Sequence, residues 1–300
     1  MTTYKNEFSW SVSRDATFQK CQRMYYYQYY GSWGGWNDDA DDITRTVYML
    51  KQLQNRQMWA GKKVHECIEK TLKKIQDGIN VNNEESIEDT LNVMRKEFKS
   101  SIAKRYLIDP KTCALFEHEY ELPITNTEWK NNADHVVECL KLFFDSNVYK
   151  DILQLSSKQW LEVEQFSSFF YRDIKIYAVF DFAYRNSDEV IIYDWKTGKK
   201  ENDKHKLQLA CYGLFATKKW EIKPEHVKLM EFYLSSSKQN EYNFSEFDLD
   251  NIQKHIWSSI GKMQNKLDDP QANIASEDRF LCSENKQICQ HCNYLRICSK

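Results

Sequence analysis

Asp181, Asp194 and Lys196 are the residues of this chain whose types and spacing most directly suggest chemistry. In a β-strand successive side chains alternate faces, so Asp194 and Lys196, within Glu189 to Lys196, point the same way. Val190 and Ile192 share that face, while Ile191, Tyr193 and Trp195 fill the other. A lone Asp-x-Lys is ordinarily a solvated ion pair, and an Asp at a strand end is ordinarily a turn residue. A strand that is apolar on both sides is a costly place for idle charges, which favours the functional reading. In the strand expected over Asp173 to Tyr184, Ile174, Ile176, Ala178, Phe180 and Phe182 form one apolar face and leave Asp181 on the opposite one. A hairpin through Arg185-Asn186-Ser187-Asp188 can bring Asp181 beside Asp194. Two carboxylates and a lysine suit a hard divalent cation next to a group that stabilises a phosphate-like transition state.

A second cluster is made of thiols. Cys289, Cys292 and Cys298 form C-x2-C-x5-C, a metal site lacking one ligand, with Cys282 the nearest candidate for the fourth and Cys21 the most distant. Four such thiolates suit Zn2+ or an iron-sulfur cluster, and spacing alone slightly favours zinc. Against zinc, no second C-x2-C or His-x3-His accompanies the triplet, and His291 inside the C-x2-C is poorly placed to join its neighbours. Cys67, Cys113, Cys139 and Cys211 sit singly in helical patterns, where a buried free thiol is the default.

The elements that must position these groups fit a soluble α/β chain. Three hundred residues with 41% hydrophobic and 29% charged content suffice for one large or two ordinary domains. Only 8 Gly and 4 Pro imply much helix. A net charge of -2 marks no global nucleic-acid binder, so phosphate binding must come from a local patch. Lys199, Lys200, Lys204 and Lys206 beside the Asp194 strand are the candidates. The first residues carry no apolar signal core, and no apolar run approaches a membrane span, so a cytoplasmic protein without a membrane partner is expected.

Along the chain, Ser13 caps an expected helix carrying Phe18, Cys21 and Tyr25, and Gly34-Gly35 breaks it. The aromatics from Tyr25 to Trp36 read mainly as packing around a buried cluster. A long helix is expected from Ile43 to about Gln76, with Val64, Ile68, Leu72 and Ile75 at helical spacing and with Gly61 one turn before His65. Ile87 to Tyr106 and Trp129 to Phe144 are further amphipathic helices. Strands follow at Trp160 to Phe169, Asp173 to Tyr184 and Glu189 to Lys196, and either Glu162 or Glu164 can add a carboxylate to the site. Gln208 and Tyr212 share one face of a helix over Leu207 to Lys218. Val227 to Ser235 reads as a strand and Leu249 to Lys266 as a last helix.

Gly61-x3-His65, Asp181, Asp194-Trp195-Lys196 and Gln208-x3-Tyr212 resemble, in order and spacing, the motifs of RecB-like PD-(D/E)XK nucleases. Cys21, in Phe-x2-Cys-x-Arg-x-Tyr-Tyr, with the terminal C-x2-C-x5-C is similar to the iron-sulfur branch, which includes the AddB nuclease module and the CRISPR-associated RecB-like nucleases. Ala178 stands where many relatives have Gly, and no Pro precedes Asp181. The resemblance implies an α/β core with a mixed sheet flanked by helices. It covers 8–30, 59–72, 160–215 and 280–298, and with the helical lobe read from the residues the expected division is an N-terminal helical part over 1–79, a helical insertion over 80–155 that the resemblance does not cover, the catalytic core over 156–270 and a cysteine segment over 271–300. The resemblance further implies Mg2+ or Mn2+ on Asp181, Asp194, the Trp195 carbonyl and His65, with Lys196 activating water and Gln208 and Tyr212 orienting substrate. A 4Fe-4S cluster on Cys21, Cys289, Cys292 and Cys298, with Cys282 outside it, completes the picture. The expected activity is metal-dependent DNA hydrolysis, exonucleolytic on single strands or ends, in DNA repair, recombination or antiviral defence. The rivals are a DNA-end-binding or scaffolding subunit without catalysis and a nuclease acting on RNA. Gly61-Lys62, Gly198-Lys199 and Gly261-Lys262 lack the rest of a phosphate-binding P-loop, so any helicase or defence-system partner is another chain.

Overall fold

The computed structural model describes residues 5–198 and 203–298, without the side chains of Asp203 and Lys204. In chain order the elements are β1 (Ser9–Trp10), α1 (Val12–Lys20), α2 (Gln22–Tyr26), α3 (Asp42–Lys51), α4 (Arg56–Gln76) and α5 (Asn83–Ile102). Then come α6 (Phe116–Glu119), α7 (Asn126–Asp145), α8 (Asn147–Ile152), β2 (Trp160–Val163), β3 (Ser167–Tyr171) and β4 (Ile174–Ala178). They are followed by β5 (Phe182–Asn186), β6 (Glu189–Lys196), α9 (Asp203–Lys219), β7 (Val227–Tyr233), β8 (Lys238–Tyr242), α10 (Glu246–Gln264) and α11 (Lys286–Gln290). This is the expected mixed α/β architecture.

The strands form a five-stranded sheet, β2-β5-β6-β7-β8, and a three-stranded sheet, β1-β4-β3. β6 is the middle strand of the larger sheet, antiparallel to β5 and parallel to β7. A parallel pair needs a long crossover, and α9 supplies it, which returns Gln208 and Tyr212 to the end of β6. The alternation in β6 divides the protein. Val190 and Ile192 enter a core with Leu209 and Phe215 of α9 and Ile256 and Ile260 of α10. Ile191, Tyr193 and Trp195 enter the opposite core with Val64 and Ile68 of α4 and Leu140 and Phe143 of α7. Residues 80–155, where an insertion is expected, therefore contribute to the same core as one face of the sheet.

Four expected elements are interrupted. The helix expected from Ser13 is capped instead by Ser11, whose side chain accepts from the Arg14 N–H, and it breaks at Cys21 into α1 and α2. The single helix expected from Ile43 to Gln76 is two helices, α3 and α4. Between them Gln54 exchanges backbone hydrogen bonds with Ala114 and Phe116, and the Asn55 side chain caps α4 by accepting from the Met58 N–H. The strand expected over Trp160 to Phe169 breaks into β2 and β3 around Glu164, whose φ of 45° is left-handed. The strand expected over Asp173 to Tyr184 breaks at 179–181 into β4 and β5. At both breaks the chain passes from one sheet to the other. Ser187 takes a φ of 53° in the expected hairpin between β5 and β6. Of the aromatics near the N-terminus, Tyr25 stacks on Phe280 and Tyr27 packs against Tyr294, whereas Trp33 and Trp36 stay exposed against each other.

Candidate active site

Asp181 and Glu164 reach the site because both lie in the breaks between sheets. Glu164 donates its backbone N–H to the Asp181 carbonyl, and Asp181 donates its own to the Tyr193 carbonyl. The two breaks are thus tied together beside β6. On α4, His65 places Nδ1 2.7 Å from Asp181 Oδ1 and 3.4 Å from Glu164 Oε1. The ligand atoms of His65, Glu164 and Asp181 all lie within 4.8 Å of one another. The other Asp181 oxygen accepts the Trp195 backbone N–H. Asp181 is 6% exposed, and burial pushes it up to about 8, against the pull of His65 and with the push of Asp194. Burial works against charge on His65, but the Asp181 and Glu164 carboxylates outweigh it and raise its pKa above the ordinary imidazole value. One nitrogen and two carboxylates, with an aspartate whose charge is starved of solvent, fit a hard divalent cation.

Across the same cavity a hydrogen-bonded frame holds Lys196. Its ammonium is ion-paired with Asp194 and donates to Gln208 Oε1 at 3.1 Å. The Gln208 Nε2 faces Asp194 Oδ1 at 3.3 Å and the Tyr212 hydroxyl. Tyr212 is 2% exposed, and its hydroxyl lies 2.6 Å from the Val179 carbonyl and 3.1 Å from Asp194 Oδ1. Burial and the Asp194 charge hold that phenol protonated. Gln208 and Tyr212, one turn apart on α9, thus fix the rotamers of the charged pair from below. His65, Asp181, Asp194, Trp195, Lys196 and Gln208 all line one cavity of about 460 Å³. The Trp195 side chain itself is buried on the opposite face of the sheet.

Gly61 has a definite reason at its position. A Cβ there would come within 3.0 Å of Thr197 Oγ1, so α4 approaches the end of β6 at a glycine, one turn before His65. Of the two glutamates weighed from the sequence, Glu164 joins the site, while Glu162 accepts from the Ser167 hydroxyl. The sequence reading missed His205 and Glu231. His205 lines the cavity and places Nδ1 2.9 Å from Glu231 Oε1. Glu231 is buried on β7 in direct register with Asp194 and accepts from the Tyr242 hydroxyl at 3.0 Å. A glutamate inside the apolar run Val227 to Tyr233 was the available signal, since a buried charge asks for a partner. Of the basic patch, Lys206 is exposed on α9, whereas Lys199, Lys200 and the Lys204 side chain lie outside the described residues.

The model of the PD-(D/E)XK nuclease superfamily matches residues 9–299. The chain belongs to that superfamily. Membership implies a nuclease of a kind that generally works with divalent metals, and the cavity beneath β6 offers such a site. The match runs through the helices of residues 80–155 and through the terminal cysteines. No curated protein matches the chain significantly. Among the described residues no helix is long and apolar enough to cross a membrane.

This PD-(D/E)XK chain also gathers its five remaining thiols. Cys21, Cys282, Cys289, Cys292 and Cys298, all half-buried, line one narrow cavity of about 30 Å³ with Met24, Ile288 and Leu295. Cys282, expected to stand apart, lies with its sulfur 3.6 Å from that of Cys298. Burial and the neighbouring Cys282 push Cys298 up to about 12. The two ends of the chain are fastened around this cavity. Arg23 donates to the Phe280 carbonyl at 2.8 Å, and the Tyr294 hydroxyl donates to Gln28 Oε1 at 2.7 Å. The other four cysteines are dispersed: Cys67, Cys139 and Cys211 are buried, and Cys113 is half-buried against Gln54.

Proposed function

We propose that the protein hydrolyses phosphodiester bonds of DNA, acting exonucleolytically on single strands or ends with Mg2+ or Mn2+. The observation that carries this reading is one cavity with a cation side, where His65 and Asp181 line the wall and Glu164 stands against them, and a lysine side, where Lys196 and Gln208 line the wall within a frame completed by Asp194 and Tyr212. Asp194 and the Trp195 carbonyl complete the cation side. A divalent cation bound there supplies charge for the scissile phosphate and lowers the pKa of water. Lys196 orients the attacking water and offsets negative charge as it develops on the phosphoryl oxygens. Gln208 and Tyr212 keep that ammonium aimed, and Gln208 also meets substrate. The lysine is fixed before substrate arrives, so little reorganisation accompanies the reaction. The intact frame favours an enzyme over a scaffolding subunit. Cleavage of end-labelled single-stranded DNA with Mn2+ and none with chelator is the expected result. Binding without cleavage of either DNA or RNA would refute the enzyme reading, and cleavage of RNA alone would replace the substrate.

The same reading assigns the thiols of Cys21, Cys289, Cys292 and Cys298 to one 4Fe-4S cluster. No three cysteine sulfurs lie within 4.8 Å of one another among the described residues. A single tetrahedral zinc with bonds of about 2.3 Å would draw its four sulfurs to within roughly 3.8 Å, whereas a 4Fe-4S cluster holds each thiolate on its own iron. Iron and zinc content of anaerobically prepared protein distinguishes the two. DNA delivered by a helicase or defence-system protein in another chain, in repair or in defence against foreign DNA, is the setting that fits an end-directed nuclease without a P-loop.

A further inference from the structure

Beside the catalytic cavity lies a second one of about 310 Å³, and the two share Val179 and Gln208 on their common wall. Its polar lining includes Ser11, Ser13 and Arg14 at the start of α1, and its aromatic lining includes Tyr29, Phe166 and Tyr177. Arg14 is held there by stacking 4.2 Å over the Tyr29 ring and by donating to the Ser9 carbonyl at 3.1 Å.

The cavity opens onto the outer face of the small sheet. Pairing of β3 with β4 sets Ser168 opposite Tyr177 and Phe170 opposite Lys175. Their in-between neighbours Phe169, Ile176 and Ala178 fill the core, so by alternation Phe170, Lys175 and Tyr177 face outward. Phe166 is 75% exposed and Phe170 68% exposed. The rings of Phe166 and Tyr177 lie 4.6 Å apart, and the Lys175 ammonium sits 5.1 Å from the Tyr177 centroid. Large apolar rings left in water on one sheet face beside Lys175, continuous with the Arg14 cavity, suit a ligand that is flat and anionic.

We propose that this face and the Arg14 cavity bind an unpaired DNA strand on its way into the catalytic cavity, with bases stacked on Phe166, Tyr177 and Phe170 and a phosphate on Arg14. The proposal rests on the nuclease reading and names how its substrate is presented. Base faces are available for stacking only when unpaired, so the surface discriminates single strands and frayed ends from blunt duplex. Lys175 and Arg14 supply the cationic share that the net charge of -2 does not.

The test separates presentation from chemistry. Affinity for a fluorescent single-stranded oligodeoxynucleotide and for a blunt duplex is measured with divalent ions chelated. Hydrolysis of a small ester, thymidine 5′-(4-nitrophenyl phosphate), is measured with Mn2+. The Phe166→Ala/Phe170→Ala variant should lose roughly tenfold or more in single-strand affinity, with duplex affinity and small-ester turnover unchanged. Phe166→Trp should restore stacking, and Arg14→Gln should weaken binding and reduce its salt dependence. Unchanged single-strand affinity in the double variant would overturn the proposal and leave the face to a protein partner. Equal loss on duplex and single strand, or a parallel fall in small-ester hydrolysis, would overturn it too. If the unmodified protein hydrolyses nothing, the nuclease reading fails while the single-strand to duplex ratio still decides this proposal.

Discussion

The two candidate metal centres of this chain differ in almost every physical respect. The cavity under β6 holds about 460 Å³ and is lined by oxygen and nitrogen donors. The thiol cavity holds about 30 Å³ and is walled by Met24, Ile288 and Leu295. Hard donors in a wide cavity leave room for a substrate to share the ion, whereas soft donors around a narrow one suit a resident structural group. Their positions in the chain differ as well. Most of the open site comes from 164–212, with His65 reaching in from α4, while the thiols join positions 21 and 282–298. On the proposed function the site at the end of β6 would be the place of reaction, and a group held by the thiols would fasten residue 21 to the segment 282–298. Tying residues so far apart restricts the unfolded chain.

Changes that should separate the two centres follow from that contrast. Asp194→Ala or Lys196→Ala should lower cleavage by about a thousandfold with folding and any cluster colour retained. A rate close to that of the unmodified protein would remove β6 from the chemistry. Glu164→Gln or His65→Ala should raise the Mn2+ concentration needed for half-maximal cleavage by roughly tenfold to a hundredfold, with DNA binding little altered. A Mn2+ titration showing no displacement would take those residues out of the cation side. Cys21→Ser should lose iron and lower the melting temperature, leaving the Mn2+ dependence of any remaining activity unchanged. Cys282→Ser should keep its iron, and full iron retention in Cys21→Ser would break the assignment of the thiols. The smallest effect expected is for Gly61→Ala. The added methyl must push Thr197 by a few tenths of an ångström, a cost of about 1 kcal/mol that the better helix propensity of Ala offsets by about as much, so a urea melt should move little. A loss several times that cost would mean that α4 and β6 cannot separate at all.

Much of the open site was legible in the sequence because alternation in a strand and one-turn spacing in a helix decide direction. Val190 to Lys196 divides between two cores as its pattern dictates, and Gln208 and Tyr212 meet Asp194 from one helical face. Neither break carries a Gly or Pro; across 179–181 the apolar alternation of Ile174, Ile176, Ala178, Phe180 and Phe182 runs on unbroken and hides the break, whereas the polar stretch Glu164-Gln165 with Ser167-Ser168 was the available signal for the other. Only the existence of two sheets interrupts the strand at 179–181. β8 escaped because Lys238-Gln-Asn-Glu-Tyr242 is an edge strand with no apolar face to betray it. His205 and Glu231 were missed because their pairing joins α9 to β7, and the place of Glu231 beside Asp194 depends on the parallel register of β6 and β7, neither of which a local pattern contains. For the thiols, spacing gave three of the five lining residues, and only the fold shows that Cys282 shares their cavity.

Single-turnover cleavage of labelled single-stranded DNA across Mn2+ concentration, compared among the unmodified protein, Glu164→Gln and Lys196→Ala, tests the division of the cavity most directly. Glu164→Gln should move the midpoint to higher Mn2+ and approach the unmodified plateau, whereas Lys196→Ala should keep the midpoint and lower the plateau. Two variants that shift midpoint and plateau alike, or an unmodified protein that cleaves equally well in chelator, would contradict a cation side and a lysine side working on one phosphate.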